Sequence, residues 1–177
     1  ANERRAFFRK TFVDEATGKT ICSWYDAERK GQLIDTQTSY ALPLAFHVVD
    51  GDLRKKMAAH LAAAIKTPMA GYPAYSLLTG FIGTAWISKA LSDNGMSEEA
   101  YRLQQYEGYP SWLYPVKNGA TTIWERLNSY TVKDGFGENN SMNSFNHYSF
   151  GAVASWMYNY SLGICRDEKS PGFKHFI

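Results

Sequence analysis

The sequence predicts an all-α domain built of helical hairpins, closed by a short β-like C-terminal tail. Three observations carry that expectation. Apolar residues recur at helical spacing in several separate segments. Gly, Asn and Pro fall where those segments stop. Strand-like alternation is confined to the last few residues. With 177 residues, the chain fits one domain or part of one.

A first helix is expected from about Asn2 to Val13, with Phe7, Phe8 and Phe12 on its apolar face. Residues Ala16 to Leu33 have no period, carry Gly18 and Gly31, and read as a long loop anchored by Trp24 and Tyr25. A second helix runs from about Gln37 to Phe46 with Asp35 or Thr36 as its cap, and Pro43 either kinks it or ends it early. The plainest helix is Asp52 to Lys66: Leu53, Met57, Leu61 and Ile65 repeat every four residues, and Arg54, Lys55 and Lys56 lie off that stripe. His60, beside the stripe, reads as a structural or exposed histidine. Thr79 to Gly83 is a Gly-bounded turn before an apolar helix from about Ala85 to Ser92, which Asn94-Gly95 ends. Ser97, Glu98 and Glu99 open a helix that reaches about Tyr106, with its acids in the favoured first turn. Tyr109 to Tyr130 is irregular and aromatic. A last helix, about Asn146 to Leu162, is apolar over much of its circumference and is expected to be largely buried. Pro171-Gly172 breaks the chain before the alternating Phe173 to Ile177.

Composition narrows the function. The formal charge is +2, from 19 basic and 17 acidic residues. The basic residues are dispersed on helix faces and are not interleaved with aromatics, so nucleic acid is not an expected partner. No apolar run approaches the roughly 18 residues of a membrane span, and no membrane partner is expected. Cys22 and Cys165 are far apart in sequence and can pair only if the fold brings their Cα atoms within about 7 Å; buried free thiols are the default, and with no Cys/His cluster around them they make no metal site. No P-loop, dinucleotide fingerprint, His-x-x-x-His pair or Gly-x-Ser-x-Gly elbow occurs, and no cofactor is expected. The helices have unequal lengths and dissimilar loops, so the chain is not a regular solenoid.

Two blocks hold the chemistry. Gly119-Ala120-Thr121-Thr122-Ile123-Trp124-Glu125-Arg126 sets one carboxylate beside an indole and after two hydroxyls. Met142-Asn143-Ser144-Phe145-Asn146-His147-Tyr148 follows, dense in amides and rings. Sugars offer apolar ring faces for stacking and hydroxyls for hydrogen bonding, and cleaving the bond between them needs carboxylates. Ile123, Trp124 and Leu127 around Glu125 point to partial burial. A buried carboxylate needs a partner or a raised pKa. Glu125 is therefore either one half of a structural ion pair with Arg126 or a working group.

These blocks belong to a longer ordered set. It comprises Asp35-Thr36-Gln37-Thr38-Ser39-Tyr40-Ala41-Leu42, Thr79-Gly80-Phe81-Ile82-Gly83-Thr84, Tyr109-Pro110-Ser111-Trp112, Gly119 to Arg126, and Asn143 to Tyr148 followed by Gly151-Ala152-Val153. In that order the chain resembles the inverting α-L-rhamnosidases of glycoside hydrolase family 78, from about Asp35 to its end. The resemblance implies a partial (α/α)6 barrel over residues 1–170, about half a toroid, with residues 171–177 entering a following β-domain. It implies that Glu125 is the general base that activates water. It also implies that His147, Trp112, Trp124, Asn146 and Thr79 shape the sugar pocket, and that the substrate is a rhamnose-containing glycoside.

The resemblance also defines what is missing. The family's acidic segment, with its general acid, lies upstream of the matched region; Asp26 and Asp35 are weak substitutes. The residues after Glu125-Arg126 are Leu127-Asn128 where the family usually has Trp-Asp, which removes a negative charge near the base. Ala85 stands where a bulkier residue or Pro is expected. The expectation is therefore a glycosidase segment that is inactive alone and self-associates through an exposed half-barrel face. The competing reading is a non-catalytic carbohydrate-binding module derived from such a barrel.

Overall fold

The computed structural model describes residues 1–23, 28–137, 141–167, 169–170 and 172–175. Trp24, Tyr25 and Asp26 lie outside the described residues, as do Pro171, Phe176 and Ile177 and with them much of the expected β-like tail. Helix α1 (Asn2–Phe12) leads into strands β1 (Val13–Asp14), β2 (Lys19–Ile21) and β3 (Leu33–Ile34). Helices α2 (Gln37–Ala45), α3 (Gly51–Lys66), α4 (Gly80–Thr84), α5 (Ile87–Ser92), α6 (Ser97–Gln105) and α7 (Leu113–Lys117) follow. The last helical stretch is a 3-10 turn (Tyr148–Ala152), then α8 (Val153–Trp156), then a π turn (Met157–Ser161).

Helix α2 is the hub, packing against α3, α4 and α5. Its N-terminus is fixed by a capping box. Thr36 Oγ1 accepts from the Ser39 amide at 3.2 Å, and Ser39 Oγ accepts from the Thr36 amide at 3.3 Å. Thr36 is thus the cap, and Asp35 is left for other work. Pro43 lies in the last turn, and the helix ends two residues later at Ala45. The end is sealed from α3, where Arg54 Nη1 donates to the Leu44 carbonyl at 3.1 Å.

The expected stripe of α3 forms. Leu53, Met57, Leu61 and Ile65 are all buried, against Tyr40, Leu44, Ile87, Leu91 and Leu103 from its neighbours. Burying each such side chain contributes about 1.5–3 kcal/mol. Between α5 and α6 the chain turns through a Schellman motif. The Met96 amide donates to the Leu91 carbonyl at 2.9 Å, and the Gly95 amide to the Ser92 carbonyl at 3.1 Å. Gly95 takes φ +77°, which a side chain would resist.

Three local expectations change. The stretch expected as a loop from Ala16 to Leu33 contributes strands to a three-stranded antiparallel sheet, β1-β2-β3, with Val13 opposite Thr20 and Thr20 opposite Ile34. Strands of two or three residues are too short to show alternation. The turn expected at Thr79–Gly83 is largely helical. Two glycines in five residues have poor helix propensity, so α4 rests on its packing against α2. That packing is close: a Cβ on Gly83 would lie 2.9 Å from Thr79 Cβ and 2.3 Å from Thr38 Oγ1. The final helix is not largely buried. Phe150 and Trp156 are inside, whereas Tyr158 and Leu162 are about 60% exposed (59% and 63%). Its apolar residues surround the helix, and the described core meets only one side.

One buried polar knot ties the helices to the future site. Gln37 is 1% exposed. Its Nε2 donates to the carbonyls of Ala64 (3.2 Å) and Ser76 (2.8 Å), and its Oε1 accepts from the Leu78 amide at 2.8 Å. A buried amide with three partners positions loop 76–78 against α2.

Truncating Leu61 to Ala is expected to cost about 2–5 kcal/mol in a denaturant titration. Lys55→Ala, on the open face of the same helix, is expected to change stability by less than about 0.5 kcal/mol, because its ion pair with Asp52 is surface-exposed.

Candidate active site

The two chemical blocks are hydrogen-bonded to each other along their backbones. The Glu125 amide donates to the Ser144 carbonyl at 2.8 Å, and the His147 amide donates to the Ile123 carbonyl at 2.9 Å. Thr122 Oγ1 donates to the Phe145 carbonyl. The Ser144 amide in turn donates to Glu125 Oε2 at 3.0 Å. One carboxylate oxygen is therefore held by backbone from the partner segment. Arg126 donates from Nη2 to Asn143 Oδ1 at 3.3 Å, so it too binds the partner block.

Beneath this zipper lies a box of rings. Trp124 is 6% exposed. It packs edge-on to Phe145 (5.2 Å between centroids) and Tyr130 (6.4 Å), and Phe136 closes the box against both (5.3 Å to Tyr130, 5.7 Å to Phe145). Such edge-to-face pairs add about 0.5–1.5 kcal/mol each beyond their area. Trp124 thus sits under Glu125 as a support.

His147 stacks between Phe81 (4.6 Å, 22°) and Tyr148 (5.5 Å, 5°). Its Nδ1 accepts from the Ser149 amide at 3.4 Å, which assigns the hydrogen of the neutral ring to Nε2. Trp112 donates from Nε1 to the Phe150 carbonyl at 2.8 Å, joining the Tyr109–Trp112 segment to the final helix. Thr79 is buried; its hydroxyl is shared with Thr84 Oγ1 at 2.8 Å, and its carbonyl takes the Thr38 hydroxyl at 2.6 Å. Asn146 is exposed, with its amide on Ser144 Oγ at 3.2 Å.

A cavity of about 540 Å³ opens where the start of α2, the start of α4, the 69–72 turn, Tyr109-Pro110 and residues 125–128 meet. That volume suits a sugar and part of what it is attached to. Of the six residues singled out by sequence, Glu125 lines it; His147, Trp112, Trp124, Asn146 and Thr79 stand outside its wall. Asp35, Gln37, Tyr72, Tyr109 and Arg126 do line it, and sequence reasoning gave them no site role beyond the weak one for Asp35. A second cavity of about 560 Å³ lies against α1, but its central Arg9 is paired with Glu15 (3.1 Å) and Asp50 (3.2 Å). It holds none of the chemical blocks, so the Glu125 cavity is the candidate site.

Charge in this cavity is set by neighbours. Burial pushes the Asp35 carboxyl up, but the Lys19 ammonium and the Tyr40 hydroxyl outweigh it and hold Asp35 below the usual carboxylate range. The contacts are Lys19 Nζ to Oδ2 at 2.5 Å and Tyr40 OH to Oδ1 at 2.7 Å. Asp35 is therefore ionised at neutral pH and unsuited to donate a proton, which removes it as a substitute general acid. Burial, then Tyr72 and Tyr114, push the Tyr109 phenol up, so it stays protonated. Cys22 and Cys165 are both unpaired thiols. Among the described residues no group of three or more His, Cys, Asp or Glu is placed to hold a metal, and no helix is long and apolar enough to cross a membrane.

The arrangement is one of helices around a sugar-sized cavity with a carboxylate on its wall, and the comparisons with known proteins place it in the glycosidase class. Residues 1–161 match the bacterial alpha-L-rhamnosidase 6 hairpin glycosidase domain. The chain belongs to that family. It is 42% identical over 139 residues to an alpha-L-rhamnosidase of Streptomyces avermitilis, which covers 78% of this chain and 13% of the relative. It is 39% identical over 143 residues to an alpha-L-rhamnosidase of Alteromonas sp., covering 81% and 15%. Among solved structures, the Streptomyces avermitilis alpha-L-rhamnosidase complexed with L-rhamnose superposes with a TM-score of 0.72 at 37% identity, over 90% of this chain and 14% of that one. The native Aspergillus terreus alpha-L-rhamnosidase gives 0.71 at 31%, over 88% and 16%. The chain thus spans 13–15% of the length of these sequence relatives. The expected mostly helical partial barrel stands.

Asp35 yields a pH test. Its folded pKa is depressed, so its contribution to stability is complete above the unfolded carboxylate value, about 3.9, and is lost as pH falls through the lower folded value. Asp35→Asn is expected to lower the melting temperature most above about pH 5 and to converge on wild type at strongly acidic pH. Melting curves between pH 2.5 and 7 check this.

Proposed function

We propose that the protein carrying this chain hydrolyses terminal α-L-rhamnosides with inversion, and that Glu125 is its general base. Membership of the family supports the reaction class. The observation that carries the role is the fixing of Glu125 on the cavity wall, with Oε2 held by the Ser144 amide at 3.0 Å. A carboxylate oriented through one oxygen presents the other to a water molecule. That water attacks the anomeric carbon from the face opposite the leaving group, and Glu125 takes its proton as the bond forms. The acid that protonates the leaving oxygen is expected from a part of the protein outside residues 1–177. A relative that binds L-rhamnose supports rhamnose as the sugar.

The other site residues take graded roles in this reading. His147 and Asn146 stand outside the cavity wall and act through the segment they belong to, His147 by the hydrogen bond of its amide to the Ile123 carbonyl and its stack on Phe81. Trp112 and Trp124 hold the base and its partner segment in place, and Thr79 fixes the start of α4 beside the cavity.

Glu125→Gln in the whole protein is expected to cut kcat on an aryl α-L-rhamnoside by about 10²–10⁴-fold. With the wild type, proton NMR is expected to show β-L-rhamnose as the first-formed anomer. Activity near wild type in the variant, or α-L-rhamnose first, would refute the assignment.

Residues 1–177 made alone are expected to be inactive, because one of the two proton-transfer groups is absent. Exposed Phe46, Val116, Val132 and Phe136, each more than half accessible, support association of that isolated piece. Light scattering at micromolar concentration is expected to give at least a dimer mass. The alternative, a non-catalytic carbohydrate-binding module, draws on the missing acid. Turnover by the whole protein that depends on Glu125 eliminates it.

A further inference from the structure

We propose that Asp35 is a specificity-determining residue of this site, its carboxylate accepting a hydrogen bond from one ring hydroxyl of the sugar held against Glu125. This rests on the reading of Glu125 given above and adds a second polar contact to it.

Four observations lead there. Asp35 and Glu125 line the same cavity, one at the start of α2 and the other on the zipped segment. Both oxygens of Asp35 are anchored from behind, by Tyr40 OH at 2.7 Å and Lys19 Nζ at 2.5 Å. A carboxylate has about four acceptor positions, so two anchors leave room for a donor on the open side. The side chain of Asp35 is 49% exposed, and Asp35 lines the cavity.

The anchors are themselves fixed. Tyr40 is 0% exposed in the heart of α2. Its ring stacks on His60 at 5.4 Å and 18°, and His60 Nε2 is 2.8 Å from the Thr17 carbonyl. Lys19 is on β2. Two elements, α2 and β2, therefore converge on one carboxylate, and α3 backs the first of them through His60.

The ordinary uses of an Asp at this place are already filled. Thr36 caps α2, so Asp35 is not the cap. As an ion pair alone, a partner at the protein surface contributes little. What the arrangement does supply is a rigid anionic acceptor facing a sugar-sized space. Hydroxyl hydrogen bonds to a carboxylate are about twice as strong as those between neutral groups. A site with such an acceptor rejects an analogue that lacks the hydroxyl, because the carboxylate's open acceptor position is then left without its donor.

The test uses the whole protein with p-nitrophenyl α-L-rhamnoside and its 2-, 3- and 4-deoxy analogues. In the wild type, removal of one particular hydroxyl is expected to lower kcat/KM by roughly 10- to 100-fold more than it does in Asp35→Asn. The penalties for the other two hydroxyls are expected to be the same in both. Lys19→Met, which leaves the carboxylate but loosens it, is expected to shrink the same single penalty in part. That variant decides the question if Asp35→Asn does not fold. Equal penalties in all three proteins, or a uniform change across all three hydroxyls, would overturn the proposal. Glu125→Gln run alongside separates the two claims. Wild-type activity in that variant sinks the base itself. Loss there, with unaltered hydroxyl penalties in Asp35→Asn, sinks only the role of Asp35.

Discussion

The hydrogen bonds between residues 122–125 and residues 144–147 are the constraint on which the site depends. They bring together two blocks that are twenty residues apart and have little regular secondary structure between them. Segments of this kind hold a fixed shape only when their backbone polar groups are paired and their side chains packed. Both conditions are met. The amides and carbonyls of Ile123, Glu125, Ser144 and His147 pair across the gap, and Trp124, Tyr130, Phe136 and Phe145 pack underneath. A carboxylate on such a platform keeps its direction, which proton transfer needs.

The helices serve that platform from the other side. Gln37 links the start of α2, the end of α3 and loop 76–78, so the part of the cavity wall made by Gln37, Leu77 and Leu78 belongs to the core's own scaffold. Close approach at Gly83 sets α4 on α2 and carries Phe81 to His147. Trp112 fastens the Tyr109 segment to the final helix. The cavity is therefore assembled from six parts of the chain, the last being Phe150 of the final helical stretch.

Much of this was legible in the sequence, and the reasons differ by element. Helix α3 is plain because Leu53, Met57, Leu61 and Ile65 repeat every four residues within a 16-residue helix. The three short strands were invisible because two or three residues carry no period. Residue types locate the final helix but do not give its burial, since they show how apolar a face is and not whether a neighbour covers it. Glu125 was found through the company it keeps. Asp35 was visible only as a charge near a helix start; its partners Lys19 and Tyr40 are 16 and 5 residues away and reach it only after the sheet and α2 have packed. The neighbours of Glu125 and Arg126 are equally invisible in the sequence: Arg126 hydrogen-bonds Asn143, and Glu125 accepts from the Ser144 amide.

If Glu125 works by removing a proton from water, a nucleophile that has no proton to lose should replace both. The direct measurement is azide rescue of Glu125→Ala in the whole protein, with an activated aryl α-L-rhamnoside as donor. The account predicts activity that rises with azide concentration and a product identified by NMR as β-L-rhamnosyl azide, formed by inversion. An α-linked azide, or a variant that turns over at the wild-type rate without azide, would contradict it.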